Sequence, residues 1–260
     1  PAIAVGTIRV LAGQIVIEGR NRRAASALQA AHFVHTLAAT TLTRLAAWLG
    51  LGSSAGMLLA VGFGTSASVA GGLFYALPST LGVAGLLLLA DTIRTARGAG
   101  GDTLVRAPRM RGHAVIGAVY VALAVTVAGL PPLAGFLGKS LILAATPGSI
   151  AVWGALLAAS LLNLVALVRA GSRLFWSVDD VLAGGTARAS RPVASAMLVL
   201  AVVVTTLAAG KLERFATGAA EAVVVPAPYI ESVLGPGRVE WTIRIDPASG
   251  AGADLPPTER

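Results

Sequence analysis

The most constraining feature of this sequence is a single lysine inside an apolar segment, shortly after a proline break. Residues 128–143 read AGLPPLAGFLGKSLIL, and Lys139 is their one charged residue. Pro131 and Pro132 remove two backbone donors and prevent a continuous helix through that point. A charge near the centre of a bilayer costs about 2.5–3.5 kcal/mol, so such residues face a protein or water-lined interior and mark ion or proton paths. A broken helix at membrane depth has the same requirement, and the two features therefore indicate one site.

Lys139 has two alternative interpretations. The triplet from Gly138 to Ser140 resembles the end of a phosphate-binding loop, but that motif needs a glycine where this chain has Leu133. The nucleotide-binding interpretation is therefore rejected. The second alternative is a lysine that reaches the membrane interface along its aliphatic stem. Apolar residues on both sides make that reach long, so a buried lysine is the favoured hypothesis.

The composition identifies the chain as an integral membrane protein. Hydrophobic residues make up 55% and charged residues 12% of the chain, and the mean hydropathy is +0.79, whereas an ordinary soluble domain has about 25% charged residues. The net charge is +8, but the arginines lie between apolar runs without interleaved aromatic residues. That pattern is typical of charges that set membrane topology and argues against nucleic acid as a partner. Because the chain has no cysteine, it cannot itself carry disulfides, iron–sulfur clusters or thiolate metal sites, and we expect no cofactor.

The segment 1–43 has the weakest pattern and has room for one or two helices. Residues 24–42 have about the length of a transmembrane helix, but His32, His35 and several other polar residues weaken that interpretation. The two histidines could share a helical face and bind a metal, but without a third ligand nearby a hydrogen-bonded or interfacial pair is favoured. No cleavable signal peptide is evident, and the start at Pro1 leaves open that the chain is a fragment.

Clear apolar runs follow and predict an all-α, polytopic transmembrane helix bundle of about five to seven helices. They cover residues 45–63, 67–93, 113–145, 151–171 and 192–210. The third run is broken at Leu130–Pro132. The first contains Gly52 and Gly56 at the GxxxG spacing of closely packed membrane helices. The second contains a further candidate break, Pro78, beside two hydroxyl residues that can re-satisfy freed backbone groups, and its Asp91 either lies at the interface or pairs with a buried cation.

The charges between these runs predict the topology. Five arginines and one aspartate lie within residues 94–111, and a second basic loop occupies residues 173–191. If residues 113–145 cross the membrane once, as two half-helices, both basic loops fall on the same side, whereas two crossings would separate them. One crossing satisfies the positive-inside rule with both loops in the cytoplasm, and broken helices of this kind carry ion sites in transporters. The bundle would then occupy residues 44–212, and residues 213–260 would form an extracytoplasmic C-terminal tail.

Four segments of the chain match a known family and stand in the family's order. They are FYALPSTLGVAGLLLLADTI (Phe74–Ile93), AGLPPLAGFLGKSLIL (128–143), RAGSRLFW (Arg169–Trp176) and PYIESVLG (Pro228–Gly235). These segments resemble the C-terminal half of the D subunit of the Mrp-type multisubunit cation/proton antiporters, also known as the Mnh or Pha type. That protein is similar to the proton-pumping membrane subunits of respiratory complex I. The resemblance implies a lysine on a broken helix in the proton path, which falls on Lys139, within a bacterial inner-membrane complex that exchanges Na⁺ or K⁺ for H⁺.

The chain departs from that family in two ways. The family has a histidine where this chain has Pro78, and the family's N-terminal half, with a membrane glutamate and an earlier lysine, is missing or unrecognisable in this sequence.

We interpret the chain as an antiporter subunit and not an enzyme. In this hypothesis Lys139 takes up and releases a proton because burial disfavours the charged amine, and Asp91 is its candidate partner. The alternatives are the equivalent subunit of NADH:quinone oxidoreductase and a helical scaffold that moves no ions. The expected partners are the other subunits, the lipid bilayer and the transported ions.

Overall fold

The computed structural model describes residues 8–11, 14–17, 32–182, 192–224 and 232, and it confirms a bundle of α-helices, with short strands in addition. The helices are α1 (32–38), α2 (Leu42–Gly62), α3 (Ser66–Arg97), α4 (His113–Ala128), α5 (Ala134–Ala144), α6 (Ile150–Gly171), α7 (Val193–Leu207) and α8 (Ala209–Val224). A 3-10 turn, Gly98–Gly100, follows α3, and a π-helical turn, Ser172–Trp176, follows α6. Strands β1 (Ile8–Leu11) and β2 (Gln14–Ile17) pair antiparallel, and β3 (Ala107–Arg109) pairs parallel with β4 (Val178–Leu182).

The predicted break at the double proline is confirmed, whereas the one at Pro78 is not found. Pro131 and Pro132 lie between α4 and α5, which together correspond to the predicted run 113–145. Helix α3 continues through Pro78 from Ser66 to Arg97. This proline therefore does not divide its helix, and the long run predicted there is a single element.

Within the described residues, three helices are long and apolar enough to cross a membrane, namely α2, α3 and α6. The pair α7 and α8 is bent by 77° and forms one further candidate span, while α4 and α5 are shorter apolar helices. The predicted boundary between residues 212 and 213 falls inside α8. Its Ala216 and Ala220 are buried in apolar clusters with residues of α3, so the first part of the predicted tail belongs to the bundle.

Several sequence predictions lie outside the described residues. They are the polar segment 18–23, the first part of the 24–42 run, residues 183–191 of the second basic loop, and the chain after Val224 except Ser232.

The two basic loops lie at the same end of the bundle. Strand β3 belongs to the first loop and β4 to the second, with Ala107 opposite Val178. The Arg173 guanidinium also donates a hydrogen bond from Nη1 to the Leu104 carbonyl oxygen, at 3.1 Å. The described parts of the two loops therefore meet at one end of the bundle, in agreement with the prediction. A single crossing by residues 113–145 and a cytoplasmic placement of the loops stay predictions.

Asp102 attaches the first basic loop to the start of α2. Its carboxylate accepts hydrogen bonds from the Thr43 amide, at 2.8 Å, and from the Thr43 hydroxyl, and the Arg94 guanidinium lies 3.8 Å away. Partial burial acts to raise the pKa of Asp102, but the Thr43 hydrogen bonds and the Arg94 charge outweigh it and hold that pKa below its usual value. The loop is therefore fixed to the bundle by a carboxylate that stays charged at neutral pH.

Small residues let the helices approach closely. A Cβ atom at Gly56 would lie 3.4 Å from Leu156 of α6, and one at Gly52 would lie 2.5–2.7 Å from three ring atoms of His32. The close packing predicted from the GxxxG spacing is therefore confirmed. On its outer face, α6 exposes a row of large apolar side chains, as expected of a surface that meets lipid: Leu157, Leu161, Val165 and Val168.

Candidate functional site

Lys139 is buried at the break between α4 and α5. It is only 7% exposed. Its Nζ donates hydrogen bonds to the carbonyl oxygens of Ala128, at 2.8 Å, and Val127, at 3.3 Å, and to the hydroxyl of Ser160, at 3.0 Å. The carbonyls belong to the C-terminal end of α4, and the hydroxyl belongs to α6. The buried position predicted for Lys139 is therefore confirmed, and the alternative of a lysine reaching the interface is wrong.

The way α4 ends explains why two carbonyls are available to the ammonium. The last four carbonyls of a helix, here those of residues 125–128, lack partners within the helix. The amides of Gly129 and Leu130 donate to the first two of these carbonyls, at distances of 3.0–3.2 Å, in the pattern of a Schellman motif. Gly129 adopts the left-handed φ of +77° that the motif needs. The two carbonyls that remain are the ones that accept hydrogen bonds from Lys139.

The ammonium is stabilised by dipoles and not by a counter-ion. The C-terminal end of α4 is the negative end of a helix dipole, and each hydrogen bond to a charged group contributes about 1.5–3 kcal/mol. The Tyr75 ring centroid lies 5.9 Å from Nζ, at the limit of a cation–π contact. In the part of the chain that the structure describes, no carboxylate lies within ion-pair distance of Lys139. Loss of a proton from Lys139 would therefore leave no unpaired anion behind.

Helix α5 is positioned by contacts with α3 and α7. A Cβ atom at Gly138 would lie 2.8 Å from the Cα atom of Tyr75 on α3, so only glycine allows the two backbones to approach this closely. The Ala134 amide, an unpaired donor of the first turn of α5, donates to the Thr206 hydroxyl of α7 at 2.9 Å. The glycine before Lys139 thus serves helix packing, in agreement with the rejection of a phosphate-binding loop.

The structure does not bring Asp91 to Lys139. The Asp91 side chain, near the end of α3, is 67% exposed, and its carboxylate lies 3.7 Å from the Arg94 guanidinium. The Arg94 side chain is itself 51% exposed, so Asp91 does not pair with a buried cation. A pairing of Asp91 with Lys139 is therefore not found.

The two N-terminal histidines do not share a site. His35 is exposed and its ring stacks on Trp48, with 4.2 Å between centroids. His32 is buried, and its Nδ1 lies 2.8 Å from the Trp48 carbonyl oxygen. His32 is thus hydrogen-bonded, as the favoured interpretation allows, whereas His35 is stacked on an aromatic ring. Among the residues described, no three His, Asp or Glu side chains come together as a metal-binding group.

Ser160 and Asn163 were missed by sequence reasoning. They lie three residues apart on α6, where both side chains share one face of the helix. Asn163 is only 4% exposed, and its side chain neighbours the ring of His32. The signal that could have found them is a pair of hydrogen-bonding residues with helical spacing in an otherwise apolar span.

The sequence is similar to those of antiporter subunits. No protein-family model matches the chain. It is 30% identical over 237 residues to the D subunit of a probable K⁺/H⁺ antiporter of Rhizobium meliloti (strain 1021), covering 79% of this chain and 44% of that protein. It is 27% identical over 187 residues to the D subunit of a Na⁺/H⁺ antiporter of Bacillus subtilis (strain 168), covering 68% of this chain and 37% of that protein. The chain thus spans less than half the length of these curated relatives.

The fold is similar to those of two solved membrane complexes. A chain of the Mrp complex from Dietzia sp. DQ12-45-1b matches with a TM-score of 0.72 and 17% identity, over 83% of this chain and 49% of that one. A chain of respiratory complex I from Thermus thermophilus matches with a TM-score of 0.62 and 25% identity, over 78% of this chain and 45% of that one. The apolar helices and these similarities together identify a multi-pass integral membrane protein.

Proposed function

Because this chain is a relative of the D subunit of the Mrp-type cation/proton antiporters, we propose that it forms part of the membrane domain of a multisubunit complex that exchanges Na⁺ or K⁺ for H⁺. The two curated relatives are named for K⁺/H⁺ and for Na⁺/H⁺ antiport, so both cations stay in the proposal. Within this chain, Lys139 is the residue that carries the proton.

The observation that supports this role is the match between the Lys139 amine and its three acceptors. The charged ammonium has three hydrogens, which suit the carbonyls of Val127 and Ala128 and the hydroxyl of Ser160. A neutral amine keeps two hydrogens for the carbonyls and presents its lone pair to Ser160, whose hydroxyl can donate as well as accept. Both protonation states therefore find partners without movement of a helix, as a site that loads and releases a proton requires.

The experiment is replacement of Lys139 by Met in the complete complex, with proton movement followed in everted membrane vesicles after addition of Na⁺ or K⁺. Methionine keeps the length of the side chain and removes the proton-binding group, so we expect antiport to fall by at least about tenfold, as for loss of a proton-transfer group. The matched control is Lys211→Met, because Lys211 is the other lysine of the chain and is exposed on α8. Near-normal antiport in Lys139→Met vesicles that contain as much assembled complex as the wild type would refute the proposal.

A second candidate function is that of a proton-translocating membrane subunit in an NADH:quinone oxidoreductase. The similarity to a chain of Thermus thermophilus complex I supports it. Lys139 would then serve a pump that is driven by electron transfer. Proton movement in everted vesicles distinguishes the two candidate functions. An antiporter moves protons on addition of a cation alone, whereas the pump needs NADH and is stopped by a quinone-site inhibitor.

A further inference from the structure

His32 is completely buried, and its two ring nitrogens have different surroundings. Nδ1 lies 2.8 Å from the Trp48 carbonyl oxygen and 3.0 Å from the Thr36 hydroxyl. Because a carbonyl can only accept a hydrogen bond, Nδ1 must carry the hydrogen. In the neutral ring, Nε2 is then the nitrogen with the free lone pair and can accept a proton.

The surroundings of Nε2 offer an acceptor to a protonated ring. Neither Nε2 of His32 nor Oδ1 of Asn163 has a hydrogen-bond partner among the described residues, although both atoms are buried and the two side chains are neighbours. A buried polar atom without a partner destabilises a structure. A protonated Nε2 could donate to Oδ1 directly or through a water molecule, whereas the neutral ring has nothing to donate there. Two acceptors, the Trp48 carbonyl and the Asn163 amide oxygen, thus face the two nitrogens of the ring.

His32 is connected to Lys139 through one face of α6. Asn163 lies one turn of the helix from Ser160, and Ser160 accepts the hydrogen bond of Lys139 Nζ at 3.0 Å. Among the described groups that act on the His32 ring, Lys139 is the charged one, and its positive charge opposes a second positive charge on the ring until Lys139 has given up its proton. The other groups facing the ring are neutral: the Thr36 hydroxyl of α1, the Trp48 carbonyl of α2 and the Asn163 amide of α6.

Glycine at position 52 makes room for the ring. A Cβ atom on Gly52 would lie 2.5 Å from Cε1, 2.6 Å from Nδ1 and 2.7 Å from Nε2 of His32, closer than atoms can approach. The ring therefore lies flat on the surface of α2, and its position follows from the absence of a side chain there.

We propose that His32 is a second proton-carrying residue of this chain, connected to Lys139 through Ser160 and Asn163. This inference rests on the proposed function of Lys139. When Lys139 gives a proton to the Ser160 hydroxyl oxygen, Ser160 passes its own hydroxyl proton on, and His32 Nε2 receives a proton through a water molecule bound to the Asn163 amide. Lysine becomes a neutral amine and the imidazole becomes an imidazolium, so the transfer needs no other reactant. The reverse transfer reloads the lysine.

The first test replaces His32 by Gln in the complete complex and measures the antiport rate in everted vesicles across pH. Glutamine can occupy the space of the His32 ring and form hydrogen bonds, but its amide does not take up a proton in the pH range of the assay. We expect the rate to fall by about tenfold or more and to lose the part of its pH dependence that comes from titration of the imidazole. The control is His35→Gln, one turn further along α1 and exposed, for which we expect the wild-type rate and pH profile.

The second test uses Ser160, where packing and proton transfer can be separated if His32→Gln fails to assemble. Ser160→Thr keeps the hydroxyl and should retain most of the antiport rate, whereas Ser160→Ala removes it and should slow antiport by about tenfold. Asn163→Leu, of similar size but without the amide oxygen, should slow antiport to a similar extent.

The outcomes distinguish the two proposals. If Lys139→Met abolishes antiport but His32→Gln and Ser160→Ala keep the wild-type rate and pH profile, the connection to His32 is wrong and the proposed function stands. If Ser160→Thr is as slow as Ser160→Ala, the hydroxyl has only a packing role and the connection is likewise overturned. If Lys139→Met has no effect, both the proposed function and the inference that rests on it fail.

Discussion

Gly129 supports the candidate site through its backbone conformation and its lack of a side chain. It ends α4 with a left-handed φ of +77°, and Lys139 lies directly over it. A Cβ atom at Gly129 would lie 2.7 Å from Cδ, 2.8 Å from Nζ and 2.9 Å from Cε of Lys139. One residue therefore both closes the Schellman motif and leaves space for the ammonium to reach the free carbonyls.

We expect Gly129→Ala to slow antiport strongly while the stability of the complex falls only a little. Alanine at a positive φ costs about 1–2 kcal/mol, and the new methyl group displaces the lysine from its acceptors, so antiport should fall by about tenfold or more. The control is Gly64→Ala, because Gly64 has a φ of +71° but a Cβ atom there would meet nothing within 4 Å. Thermal unfolding of the purified complex and vesicle antiport are measured on both variants. Equal antiport losses in the two would show that backbone strain alone is responsible.

At the residue scale, the sequence predicts the place of Lys139 but not its partners. A lysine within an apolar run can avoid lipid only by facing the interior of the bundle, and a break at two prolines provides such a place. Lys139 is buried at that break. Its acceptors are mostly backbone carbonyls, which carry no sequence signal, and Ser160, which lies on a different helix. Asp91 was a poor candidate for the partner of Lys139, because opposite charges in a sequence do not show that two side chains are close. The cation near Asp91 is Arg94, three residues along the same helix.

At the scale of helices, the prolines and apolar runs predict most of the elements. The break between α4 and α5 follows from two adjacent prolines, whereas Pro78 is accommodated inside α3. The bend of 77° between α7 and α8 has no proline to signal it. It turns α8 so that its Ala216 and Ala220 are buried with residues of α3, and such a tertiary contact is not encoded in the local sequence.

The contact between α3 and α5 gives a prediction for Gly138. A Cβ atom there would lie 2.8 Å from the backbone of Tyr75, so Gly138→Ala must push α5 away from α3, and we expect a loss of about 1–3 kcal/mol in stability. The control is Gly154→Ala on α6, where a Cβ atom would meet nothing within 4 Å. That change should be neutral or stabilising by up to about 1 kcal/mol. Thermal unfolding in detergent measures both, and an equally mild effect of the two substitutions would contradict the close α3–α5 contact.

At the scale of the whole molecule, the broken helix predicts how the loops are arranged. If α4 and α5 together make one crossing, as we predict, α6 returns to the end from which α4 began, and the observed pairing of β3 with β4 agrees with that prediction. The positive-inside rule predicts this arrangement from charge alone, whereas the strand pairing that joins the loops is not visible in the sequence. The same prediction places the turn between α5 and α6 at the other end of the bundle.

Accessibility to a membrane-impermeant maleimide tests this topology, and the chain offers a clean background because it contains no cysteine. Val105→Cys and Ser177→Cys lie in the two basic loops and Pro147→Cys lies in the turn between α5 and α6, all three at exposed positions. We expect the first two to be labelled in everted vesicles and the third in right-side-out vesicles, because a single crossing separates them. If all three were labelled from the reversed side, only the cytoplasmic placement of the basic loops would be wrong. If Val105→Cys and Ser177→Cys were labelled from opposite sides, residues 113–145 would cross the membrane twice, and Lys139 could not lie at a mid-membrane break between two half-helices.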